Sequence, residues 1–70
     1  MEFISGAIFN KGDKVRATQN TNELIEGETY TVFKVLGEGE VFFSRRYWVA
    51  DSNRNLRFVK NGHINLTFAN

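Results

Sequence analysis

The sequence predicts an all-β domain, a small sandwich or barrel of about five strands. No helix-length window holds an apolar period of 3.6 residues. β-rich runs recur instead between turn residues, at intervals of roughly 8–12 positions. Size and composition add a third observation. A chain of 70 residues without cysteine makes one domain, spanning 1–70, that neither disulfides nor thiolate-bound metals can staple. Its stability must come from one core. Seven Phe, two Tyr and one Trp, with Val, Ile and Leu, supply it; each such side chain contributes roughly 1.5–3 kcal/mol once buried.

The elements follow in order. "FISGAIF" (3–9) is apolar enough to add a strand or to lie across one open end. "NKGDK" (10–14) is a turn that launches "KVRAT", where Val15 and Ala17 alternate with Lys14, Arg16 and Thr18. "QNTNELIEG" (19–27) is a polar loop anchored on the core by Leu24 and Ile25. "ETYTVFKVL" (28–36) is the clearest strand: Tyr30 and Val32 share one face, Thr29, Thr31 and Phe33 the other. For Val35 to face inward as well, the strand needs a bulge.

"GEGE" (37–40) supplies two glycines for a turn. "VFFSRRYWVAD" (41–51) divides in two. "YWVAD" alternates as a strand, with Trp48 and Ala50 on one face and Tyr47 and Val49 on the other. "VFFSRR" keeps no apolar parity, so it is bulged or forms an extended hairpin tip. "DSNRN" (51–55) is a tight turn, and "LRFVK" (56–60) a strand with Leu56 and Phe58 opposite in facing to Arg57. "NGHI" (61–64) reads as a turn or a single 3₁₀ turn, and "NLTFA" (65–69) as the strand that closes a barrel with Leu66 and Phe68 inward.

"KGDKVRAT", "EGETYTVFKV" and "YWVADSNRNLRFVKNG", in that order, resemble the small SH3-like barrels common among bacteriophage and prophage accessory proteins. The resemblance covers roughly Phe9 to Phe68. It implies an SH3-like barrel of about five strands, from which "LGEGEVFFSRR" departs as an extended, irregular connection between the second and third core strands. It also implies an intracellular viral context and no defined chemistry.

No apolar run approaches the ~20 residues that span a bilayer. With an acidic N-terminus and no cysteine, a cytoplasmic location is expected. Catalytic constellations are thin. His63 is the single histidine and sits in a turn context, and the carboxylate pairs (Glu23 with Glu26, Glu26 with Glu28, Glu38 with Glu40) flank turns or strand starts. "GEGE" lacks the Lys-Ser/Thr of a phosphate loop. No catalytic residue, metal ligand, cofactor or small-molecule substrate is assigned.

Binding is left. The formal charge of +1 conceals an asymmetry: residues 1–40 carry seven acids and four bases, residues 41–70 five bases and one acid. The expected contact surface is Phe42, Phe43, Arg45, Arg46, Tyr47 and Trp48, with Arg54 and Arg57 as a rim, because interface cores favour aromatics and arginine. The first expectation is a binding module that docks on and modulates a host or phage protein. The alternatives are a nucleic-acid-binding small barrel that uses the basic-aromatic second half and a structural or homo-oligomeric viral subunit.

Overall fold

The computed structural model describes residues 8–37, 39 and 45–69. Their strands are β1 (Lys14–Ala17), β2 (Thr29–Leu36), β3 (Arg46–Ala50), β4 (Leu56–Val59) and β5 (Leu66–Phe68), with one helical turn, α1 (Gly62–Asn65), before the last. All five strands are antiparallel neighbours in one sheet of order β4-β3-β2-β1-β5.

That order corrects the expected SH3-like barrel. β4 and β5 are the two edges and do not pair, so the sheet is open. Closure needs neighbouring strands tilted and staggered until the edges meet. Here the edge strands are only four and three residues long. β5 pairs with β1 instead of returning to β4.

The inner face follows the alternation of the sequence. Val15 and Ala17 of β1, Tyr30 and Val32 of β2, Tyr47 and Val49 of β3, Val59 of β4 and Leu66 of β5 are all buried. Phe9 and Leu24 complete the core from outside the strands. Phe9 meets Tyr47 edge-on at 5.5 Å and Phe68 at 4.8 Å, so Phe68 points inward although it lies at the sheet margin. In β4 the core side is that of Val59, which makes Leu56 and Phe58 outer-face residues.

The register shift in β2 lies between Val32 and Lys34. Such a bulge adds one residue on one strand. Here it leaves both Phe33 and Lys34 outside while Val32 is buried and Val35 packs against the core.

Local hydrogen bonds hold the connections. Asn10 N–H donates to the Asp13 carboxylate at 2.7 Å, and Gly12, at φ +95°, turns the chain into β1. In the long loop, Thr21 Oγ1 accepts from the N–H groups of Glu23 and Leu24, and the buried Tyr30 hydroxyl accepts from Ile25 N–H at 2.9 Å. Thr18 ties the loop to α1 through its N–H to Asn65 O and its hydroxyl to Ile64 O. Where a turn or a single 3₁₀ turn was expected over "NGHI", the chain forms one α-helical turn over Gly62–Asn65. Its Gly62 lies against the Tyr47 ring, and a Cβ there would stand 2.7 Å from a ring carbon.

Candidate functional site: the outer face of the sheet

With the inner face committed to the core, the outer face is set by register. Thr31 lies beside Ala50, and Ala50 beside Leu56. In the next row Lys34 lies beside Trp48, and Trp48 beside Phe58. Leu36 and Arg46 form a third row. The Trp48 and Phe58 rings stand with centroids 5.0 Å apart at 48°. Phe33 is 53% exposed and Leu56 47%. Trp48 and Phe58 therefore form a partly exposed aromatic platform, with Phe33 exposed on the same side of the sheet.

The electrostatics of this face are one-sided. The outward positions of the strands hold four bases, Lys14, Arg16, Lys34 and Arg46, and no acid. The described acids all lie off the strands: Asp13 in the first turn, Glu23, Glu26 and Glu28 in the long loop, Asp51 in the β3–β4 turn.

The expected contact residues distribute unevenly over this geometry. Trp48 and Arg46 lie on the platform, and Arg45 immediately precedes it. Tyr47 is 1% exposed and belongs to the core, because strand alternation turns it opposite to Trp48. Arg54 is exposed at the β3–β4 turn, in a left-handed conformation with φ 66°. Arg57 is on the inner side opposite Val49 and pairs with Asp51 at 3.4 Å. Phe42 and Phe43 lie outside the described residues. Phe33, Lys34 and Phe58 were missed as site residues. The bulge at Phe33 was visible in the sequence, but nothing local to "LRFVK" reveals that Phe58 stands beside Trp48.

Two clefts lie between the 19–28 loop and the β3–β4 hairpin. One, of about 310 Å³, is bounded by Glu23, Leu24 and Tyr30 on one wall and Asp51, Asn55 and Arg57 on the other. The second, of about 390 Å³, continues from Thr21–Glu23 to Phe58–Asn61. Together they run beside β4. Asp51 is the organising charge there. The Asn55 backbone N–H, then that of Asn53 and the Arg57 guanidinium, hold its carboxyl below its ordinary pKa. Among the described residues, no group of three or more His, Cys, Asp or Glu side chains could hold a metal ion. No helix among them is long and apolar enough to cross a membrane.

No protein-family model matches the chain, and neither a curated protein nor a solved structure matches it. With the sheet open and no such match, the expected bacteriophage barrel kinship has no support beyond the sequence resemblance.

Proposed function

We propose that this chain is a non-enzymatic binding module that holds single-stranded nucleic acid on the outer face of β2, β3 and β4. One observation carries the reading: Trp48, Phe58 and Phe33 share a face whose charged strand positions are all basic. Single-strand binders combine stacking aromatics with a cationic track, and each base–aromatic stack is worth roughly 1–3 kcal/mol. Protein recognition has less surface to stand on, since Tyr47 is in the core and Arg57 is tied to Asp51. A cytoplasmic site of action accords with the absence of cysteine.

Trp48 is the only tryptophan, so its fluorescence reports the site directly. Titration with a generic single-stranded oligonucleotide at low salt is expected to quench it. Phe58→Ala is expected to weaken binding about 5–160-fold, the equivalent of one stack, while the protein stays folded. Unchanged Trp48 emission at low salt with saturating oligonucleotide overturns the reading.

A further inference from the structure

We propose that a second copy of this chain docks on the free edge of β4, pairing antiparallel with it about a two-fold axis through Phe58.

The direction of the backbone groups supplies the first argument. Asp51 N–H donates to Asn55 O across the β3–β4 hairpin, which makes that pair hydrogen-bonded. Such pairs alternate along an antiparallel ladder. Arg57 opposite Val49 and Val59 opposite Tyr47 are therefore the next bonded pairs, and their backbone groups point to β3. Leu56, Phe58 and Lys60 turn theirs to the other side. Among the described residues no backbone group takes them up. A row of alternate unpaired N–H and C=O groups is a template for another strand.

Only one kind of register lets such a row pair with its own copy: even positions must oppose even positions. Centring on Phe58 sets Phe58 against Phe58 of the second copy, Leu56 against Lys60, and Arg57 against Val59. Centring on Arg57 would set the two arginines face to face, which is unfavourable. Basic residues on an edge normally discourage pairing. Here the chosen register keeps Arg57 off its own copy's directly opposing position, and Asp51 already neutralises it.

Space favours the same occupant. The clefts of about 310 and 390 Å³ beside β4 leave room along the edge. The consequence for the platform is continuity: the two Phe58 rings meet on the outer face, flanked by both Trp48 rings. That lengthened platform rests on the nucleic-acid reading, whereas the pairing itself does not.

Sedimentation and amide hydrogen exchange at dilute and concentrated protein test the pairing. The mass is expected to rise towards twice that of the chain. The amides of Leu56, Phe58 and Lys60 are expected to slow by about tenfold or more with concentration, while those of Arg57 and Val59 are protected throughout. Leu56→Pro removes an outward N–H without touching the β3 ladder, and is expected to shift association to higher concentration with the fold intact by circular dichroism. If that variant does not fold, the wild-type exchange pattern decides alone. A monomer at the highest concentration, or a dimer whose Leu56, Phe58 and Lys60 amides exchange as in dilute protein, overturns the inference. Trp48 quenching by oligonucleotide in a strictly monomeric protein would leave the nucleic-acid reading standing alone. A dimer without quenching would leave only the edge pairing.

Discussion

Gly62 illustrates how much a single atom decides in so small a core. It is buried at the start of α1, and the Tyr47 ring occupies the place a Cβ would need. Tyr47 has no room to retreat, because Phe9 packs edge-on against it and it is itself 1% exposed. Gly62→Ala therefore over-packs the core. Thermal or denaturant unfolding is expected to show a loss of about 1–3 kcal/mol. That is a large part of a total that, at roughly 0.05–0.15 kcal/mol per residue, is itself only several kcal/mol. An unchanged midpoint would show that α1 shifts away freely. The sequence marks position 62 only as a turn glycine; the reason for the residue is the ring of a side chain fifteen positions earlier.

At the scale of the element, the β3–β4 hairpin is organised by Asp51. Its carboxylate accepts from the N–H groups of Asn53 and Asn55 at 2.8 and 2.9 Å, and its main-chain oxygen accepts from Arg54 N–H. These bonds favour the ionised form, so the folded-state pKa lies below the ordinary 3.8. The sign follows: the contribution is fully present above the unfolded value and is lost as pH falls through the lower, folded one. Asp51→Ala is expected to unfold at a lower temperature than the wild type at pH near neutral, and the gap is expected to narrow as pH drops below about 3.8. A gap that stays constant down to strong acid would remove the carboxylate from the account. "DSNRN" was legible as a turn because Asp and Asn bond their own backbone there. The β2 bulge was legible too, since Val32 and Val35 cannot both face inward along an unbroken strand. The single helical turn of α1 was less so, because its hydrogen bonds to Thr18 join segments far apart in the chain.

For the whole molecule, the informative quantity is the separation of charge between sheet face and loops. The outer strand positions hold Lys14, Arg16, Lys34 and Arg46 and, among the described residues, no acid. A single strand that contacts three or four of them should lose affinity with salt at a log–log slope of about −2 to −3, from roughly −0.7 per phosphate contact. Lys34→Ala is expected to flatten that slope by about 0.7; binding indifferent to salt would assign the affinity to stacking alone. Along the sequence the bases concentrate in the second half, an asymmetry that reads first as solvated charge on turns and outer faces, and three of the four outer-face bases come from the first half. The strands interleave, so a charge asymmetry along the chain does not become the same asymmetry in space.

Read alone, the sequence carries the all-β class, the strands and which side chains of each share a face. Those depend on a two-residue alternation and on turn residues, both local properties. Only the tertiary structure decided that the sheet stays open between β4 and β5. It alone decided that Tyr47 is core while Trp48 joins Phe58 and Phe33. Register and edge closure are relations between strands distant in the chain, set by how inner faces pack together, and no single strand's alternation contains them.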